Sequence, residues 1–271
     1  MNQRAFTVVE LLVTVAVIGL LASIILVSLG PARERARIAS GEQFEAEVHH
    51  ALGVDTVGLW YLNGNAEDFS GYGNNGTVNG ALPAADRKGQ SDSAYSFDGI
   101  DDSILVSDNA TLDGWAKATF TAWVFRDAGG TFLAKAPSAY WLSASSTTGN
   151  FHYAITQSWT NYDSEVSIPL QKWTHIALVV DPAATKAEVF KDGVLADTRS
   201  IANSSFNANA IALSIGRQSP ENGTGHFKGV LDDIRIYSRA LTATEVGRLY
   251  AESASYRQLS SLDAQTPVLP W

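Results

Sequence analysis

The sequence predicts a mainly β protein: an N-terminal membrane and stalk α-helix, then a two-sheet antiparallel sandwich with one short C-terminal helix. Three observations predict this. Phe6 to Leu29 is an apolar run with a single ionisable group, Glu10. From Val54 onward, short apolar segments alternate with clusters of Gly, Asn, Asp and Ser, the pattern of strands joined by turns. After Tyr237 the spacing turns helical behind Thr242 and Glu245, which are placed to form a capping box.

The first element is set by length and charge. Leu11 to Leu29 contains no charge and no proline. A helix of about 20 apolar residues at ~1.5 Å each crosses the hydrocarbon layer. The run exceeds the roughly 7–15 apolar residues of a secretory signal, and Ser28-Leu29-Gly30-Pro31 is a poor cleavage site. A carboxylate at membrane depth costs about 2.5–3.5 kcal/mol on insertion scales, so Glu10 implies a partner. No basic residue lies within the run, which places that partner on another molecule.

The stretch MNQRAFTVVELLVTVAVIGLLASI resembles the class III leader and N-terminal helix of type IV pilins and pseudopilins. Arg4, Phe6 and Glu10 match that family's short basic leader, cleavage before Phe, and glutamate early in the mature chain. The resemblance implies cleavage between Ala5 and Phe6 by a prepilin peptidase and N-methylation of Phe6. It also implies assembly from the inner membrane with other pilin or pseudopilin subunits. Ala5 stands where the family usually has Gly. Glu10 of one subunit would pair with the Phe6 amine of its neighbour, and the cost of an unpaired buried charge would enforce register. Arg33, Arg35 and Arg37 follow the apolar run. By the positive-inside rule alone they would lie in the cytoplasm. The leader implies the opposite: a single-pass protein whose C-terminal domain is outside the cytoplasm, on the cell surface or in a filament.

Residues 31–53 continue the helix as a stalk. Pro31 kinks or restarts it, Phe44, Val48, Ala51 and Leu52 share a face, and Gly53 ends it. Ten strand-like segments follow: VGLWYL, AYSFDG, SILVS, FTAWVF, TFLAK, FHYAI, THIALVV, KAEVFKDG, AIALSIG and FKGVLDDIRIY. Asp192-Gly193 signals a tight hairpin. Ile176, Leu178 and Val180 should share one face. Alternation in the last strand puts Val230, Ile234 and Ile236 on the core face together with Asp232, and Asp233 on the other. Trp60, Trp123 and Trp173 are expected in the core. Leu241, Val246, Leu249 and Tyr250 give the closing helix an apolar stripe.

Composition narrows the function. The chain has 271 residues and a formal net charge of −9. The acidic balance argues against nucleic acid as a partner. With no cysteine, neither a disulfide nor thiol chemistry is available, so stability rests on core size or bound metal.

LWYLNGNAEDFSGYGNNGTVNG, SAYSFDGIDDSILV, FTAWVF, QKWTHIALVVD, VFKDGVLA, LSIGR and FKGVLDDIRIYSRALTATEVGRLY, in that order, resemble the concanavalin A-like jelly roll of the laminin-G-like family. The resemblance covers about residues 57–250. Together the two resemblances imply a leader over 1–5, a transmembrane and stalk helix over 6–53, a jelly roll over 54–254 and a tail over 255–271. Related jelly rolls commonly hold a structural Ca²⁺ beside an aspartate of the last strand. A site built from Asp232 with Asp68 or Asp98 and backbone carbonyls would suit that hard cation, with Asp101 and Asp102 nearby in sequence. The alternative is that these aspartates cap turns. Tyr140, Trp141, Trp159 and Tyr162, near Asn161 and His152, could form a platform for a sugar ring; equally, they could fill the core. Catalysis is not expected. The closely spaced E-x-D-x-E carboxylates of jelly-roll glycosidases are absent, and the five histidines show no metal spacing. The expected role is a minor pilin or pseudopilin presenting a lectin-like head to glycan or extracellular protein. The alternatives are a purely structural pseudopilin, an anchored lectin that never assembles, and, last, a polysaccharide hydrolase.

Overall fold

The computed structural model describes residues 8, 11–17, 53–136, 139–155, 161–201, 206–218 and 225–255. The chain divides into two compact units, residues 50–258 on the one hand and 1–49 with 259–271 on the other. In the latter, Val8 and residues 11–17 are helical and exposed. Among the described residues no helix is long and apolar enough to cross a membrane. Ala5, Phe6, Glu10, Pro31 and the stalk up to Leu52 lie outside the described residues, as does most of the tail. Gly53 opens a 3-10 turn, Gly53–Asp55.

Fifteen strands are described in the larger unit. The first five are β1 (Thr56–Trp60), β2 (Gly76–Asn79), β3 (Leu82–Ala84), β4 (Ala94–Asp98) and β5 (Ser103–Val106). Next come β6 (Ala118–Arg126), β7 (Gly130–Lys135), β8 (Tyr140–Ala144), β9 (Asn150–Ile155) and β10 (Asn161–Ser167). The last five are β11 (Thr174–Asp181), β12 (Lys186–Lys191), β13 (Val194–Ser200), β14 (Leu213–Ile215) and β15 (Lys228–Tyr237), followed by α1 (Ala243–Ser255). They form an eight-stranded sheet, ordered β13-β12-β11-β6-β15-β4-β3 with β1 also on β15, and a seven-stranded sheet, ordered β10-β9-β8-β7-β14-β5-β2. Every strand pair is antiparallel.

The core lies between the sheets. Ile176, Leu178 and Val180 enter it from β11 as alternation requires, with Phe120 from β6, Phe151 from β9 and Trp60 from β1. The Trp60 indole N–H donates to the Asn74 carbonyl at 2.9 Å, so its one polar atom is satisfied inside the core. Asp192 (φ 50°) and Gly193 (φ 77°) form the hairpin between β12 and β13. Both central residues have positive φ, which is what a two-residue hairpin turn matching the strand twist needs. Thr242 N–H donates to Glu245 Oε2 at 2.7 Å and Glu245 N–H to Thr242 Oγ1 at 3.3 Å, closing the capping box at the start of α1.

Three readings are corrected. Five strands, β2, β3, β8, β10 and β13, were not expected. Four of them are the edge strands of the two sheets, where one or both faces meet water and the apolar signal fades. In β15 the register shifts between Asp232 and Arg235, and Asp233 adopts φ 50°. This bulge reverses the alternation midway. Leu231, Ile234 and Ile236 face the core, Val230 does not, and Asp232 lies on the outer face. Trp123 is buried outside the inter-sheet core, stacked on Tyr250 of α1 with ring centroids 5.6 Å apart. Trp173 is half-buried, tilted against Phe125.

Candidate functional site

The outer face of the seven-stranded sheet carries the candidate site. Strand register aligns Asn161, Ala154, Trp141, Ala134, Ser214, Leu105 and Thr77 in one row across that face. Trp141 is flanked by alanines on both neighbouring strands, and it clusters with Ala134, Ala136 and Ala154. These small side chains leave room for an indole to lie on the sheet. The Trp141 Nε1 is buried and has no hydrogen-bond acceptor among the described residues. The adjacent row runs Thr131, Ser143, His152, Asp163, with His152 Nε2 3.4 Å from Asp163 Oδ1.

Beside Trp141 lies a pocket of about 320 Å³, bordered by Thr131, Ser143, Ser146, Gln218 and His226 together with Gly129, Gly130 and Gly225. Thr131 N–H donates to the Gly225 carbonyl at 2.9 Å, which holds the chain after β14 against the start of β7. Gly130 has φ 137°, and a Cβ there would stand 2.2 Å from the His226 carbonyl oxygen. Only glycine allows this approach, and it closes one end of the pocket with backbone.

Of the aromatic residues expected at a platform, only Trp141 is placed on the outer face. Tyr140, its neighbour on β8, points into the core, and its hydroxyl donates to the Leu112 carbonyl at 3.0 Å. Tyr162 also turns inward, stacked on Tyr153 with centroids 5.3 Å apart. Trp159 lies outside the described residues. Strand alternation separates Tyr140 from Trp141, and β8 had not been read as a strand.

Asp68, Asp98 and Asp232 are not assembled into one ligand set. Asp68 accepts from the backbone N–H groups of Leu59, Ser70 and Asn74 and from the Ser70 hydroxyl, at 2.7–3.0 Å. That is the turn-capping alternative. Asp98 accepts from Ile100 N–H at 2.7 Å, and this bond holds its carboxyl below the usual range. Asp232 is ion-paired to Arg87. Its Oδ2 faces the guanidinium while Oδ1 has no hydrogen-bond partner among the described residues, and with Asp68 enclosed by N–H donors this set does not supply the array of free oxygens that the ion needs. Carboxylate oxygens of Asp98, Asp101 and Asp102 lie within 4.8 Å of one another on the turn after β4.

Two charged clusters escaped the sequence reading. On the outer face of the eight-stranded sheet, Arg87 reaches both Asp232 and Asp233, the latter at 3.6 Å. The two aspartates therefore share a partner rather than pointing apart. Arg235 holds Asp233 through two bonds of 2.8 and 3.1 Å and approaches Glu252 of α1 at 3.6 Å. Burial pushes Asp232 up to about 7, more than Arg87 draws it down, and burial lowers His175 to about 3. The second cluster faces inward. The fully buried Lys135 ammonium meets Asp108 and Ile211 at 2.5 and 2.7 Å, Asp113 at 3.0 Å, and the Asn209 side-chain and backbone oxygens at 3.1 Å. A lone lysine ending the apolar TFLAK was the available signal. Its partners, far apart in sequence, were not.

Comparisons with known proteins agree with this architecture. The family model of the concanavalin A-like lectin/glucanases superfamily matches residues 97–247, more than half of the chain. That of the prokaryotic N-terminal methylation motif matches residues 1–26. No curated protein matches the chain in sequence. Among solved structures, domain 4 of an extracellular arabinanase from Geobacillus stearothermophilus, in complex with arabinotriose, is 23% identical with a TM-score of 0.57. It is covered over 98% of its length by 72% of this chain. The binding domain of Paraclostridial mosquitocidal protein 1 is 18% identical, with a TM-score of 0.60, and 75% of this chain covers 53% of it. Botulinum neurotoxin type C, whose cell entry depends on interaction with two ganglioside molecules, is 12% identical with a TM-score of 0.58. There 74% of this chain covers 52% of the other. The chain thus spans about half the length of the two toxin structures. At these identities the likeness is one of fold.

Proposed function

Because the chain belongs to the concanavalin A-like lectin/glucanases superfamily and opens with a prokaryotic N-terminal methylation motif, we propose that it is a pilin-like surface subunit, a minor pilin or pseudopilin, whose head binds glycan. The observation that carries the binding half is Trp141 on an outer sheet face, between alanines and beside a pocket bordered by hydroxyl, amide and imidazole groups. Trp141 is 8% exposed and so gives the pocket a narrow apolar strip, and its polar neighbours suit sugar hydroxyls. The arabinanase domain holding arabinotriose and the ganglioside-dependent toxin lend support by fold. The reading is of binding rather than hydrolysis, and purified protein is expected to leave a polysaccharide panel uncut.

The assembly half rests on the leader. Cleavage after Ala5 by a prepilin peptidase would expose the Phe6 amine, and Glu10 would pair with it between subunits in the membrane. Glu10→Ala should abolish incorporation into filaments or secretion complexes, scored by shear-fraction immunoblot, while leaving the head folded. Unchanged incorporation would reduce the N-terminal segment to a plain anchor. Glycan binding is tested by titrating the full chain, in detergent, against a glycan panel. Binding only to sibling subunits would favour a structural pseudopilin.

A further inference from the structure

Resting on that reading of the Trp141 face, we infer that the pocket receives the end of a neutral sugar chain, one or two rings deep, and excludes sialylated, uronic and sulfated sugars. Its described side chains that can bond a ligand are Thr131, Trp141, Ser143, Ser146, Gln218 and His226. No carboxylate, ammonium or guanidinium is among them. An acidic sugar calls for a guanidinium or ammonium to replace the water around its charge. Among the described residues, the cations nearest these strands are committed elsewhere: Lys135 inside its oxygen cluster, Arg126 to the Ile168 carbonyl, and Arg217, beside Gln218, in an interaction of its own. The charge on the row that leads out of the pocket, Asp163, is exposed and negative, and the chain as a whole carries −9. Both disfavour an anion.

Size and shape supply the rest. At about 320 Å³ the pocket is at the lower end of the roughly 300–1,000 Å³ usual for ligand sites. One end is walled by backbone. A Cβ on Gly129 would stand 2.3 Å from Ser146 N, and one on Gly130 would stand 2.2 Å from His226 O. A continuous chain cannot pass through such a wall, whereas a chain terminus can abut it. From Ser143 in the pocket, strand register continues across the outer face to His152 and Asp163, and a second ring would extend along that row. The Trp141 indole N–H, buried without an acceptor among the described residues, is the donor that a ligand hydroxyl oxygen seated at the indole edge would satisfy.

The test is calorimetric titration of the full chain in detergent at about 0.05 and 0.5 M salt. The probes are arabino-, xylo-, gluco- and manno-oligosaccharides, sialyllactose, oligogalacturonate and a sulfated disaccharide. The expected result is at least about tenfold preference for a neutral member, changing less than about twofold with salt. Ser143→Tyr, which fills the pocket, and Gln218→Leu, at its half-exposed rim, should each weaken that binding, the first by about tenfold or more. Preferential, salt-sensitive binding of an acidic sugar would overturn the inference and leave the glycan-binding reading standing. Neutral binding unmoved by both variants would place the site elsewhere and overturn it. Binding of no panel member would remove the glycan reading and the inference together.

Discussion

Trp123 and Trp141 each sit on the outer face of an interior strand, one in each sheet, and are almost equally buried, at 6% and 8% exposed, but the groups described around them differ. Trp123 is covered: the Arg87 guanidinium lies 4.7 Å over its ring, Tyr250 of α1 stacks on it, and His175 tilts against it. Around it Asp232, Asp233, Arg235 and Glu252 are interlocked. Trp141 is flanked by alanines and borders an open neutral pocket. A sheet face that must be sealed needs a covering element and paired charges beneath it. A face left available to a ligand is better served by small residues, one large ring and uncharged polar groups. On the proposed function, the first face serves stability and the pocket beside Trp141 serves recognition.

The largest effect should come from Arg235→Leu. It removes the two-bond partner of buried Asp233, leaving Arg87 at 3.6 Å, and takes one contact from Glu252, at a cost of about 3–5 kcal/mol, read by urea unfolding. Glycan titration on the opposite face should not change. A loss of binding would break the division of labour. Next, Trp123→Ala and Trp141→Ala should separate in binding. Each ring is more than nine-tenths buried, so both should cost about 3 kcal/mol as a filled layer becomes a cavity, yet only the second should abolish binding. Loss of binding on Trp123→Ala, or its survival on Trp141→Ala, would break the comparison.

A smaller effect sharpens the sealed face through pH. Burial holds His175 at about 3 against an ordinary 6.5. The unfolded chain therefore binds the extra proton between those values, and stability from this group, full above 6.5, is lost as pH falls. Burial pushes Asp232 the other way, to about 7 from 3.8. Stability from this group is full below 3.8 and is lost as pH rises toward 7. Between about pH 4.5 and 6.5 the two oppose each other, and the profile should be nearly flat. His175→Phe removes one side, so the variant should gain stability as pH falls through that window. A profile that shows no such gain would mean that Asp232 is ionised throughout. The smallest effect is at the helix that seals the face. Glu245, held at about 2 by Arg239 and its capping bonds, should on change to Gln cost about 1 kcal/mol. The difference from the unchanged chain should vanish as pH falls from 4.5 through 2.

The sequence made the interior strands plain, because strands apolar on the core side repeat every second residue, as THIALVV does. It hid the edges: β10, NYDSEVS, and β13, VLADTRS, expose most of their residues and read as loops. YWLSA had the right composition, but Tyr140 and Trp141 were taken as one platform, when adjacent strand residues cannot share a face. The Asp232–Asp233 bulge defeats any fixed period, and Arg87, which pairs with Asp232, lies 145 residues away from it in the chain. The Lys135 cluster draws its oxygens from segments near residues 108–113 and 209–211, a juxtaposition that only the folded sandwich creates. Asp68 was legible as a turn cap. What made it look like a metal ligand was its type, and what decides its role is the set of N–H donors around it.

The most direct test of this division is an amide and indole NMR spectrum of the full chain in detergent, titrated with the neutral oligosaccharides. The protein has seven tryptophans, so the indole N–H region reports each face separately. The Trp141 indole resonance should shift on binding while the Trp123 resonance stays in place. A shift at Trp123 with Trp141 unmoved would contradict the account.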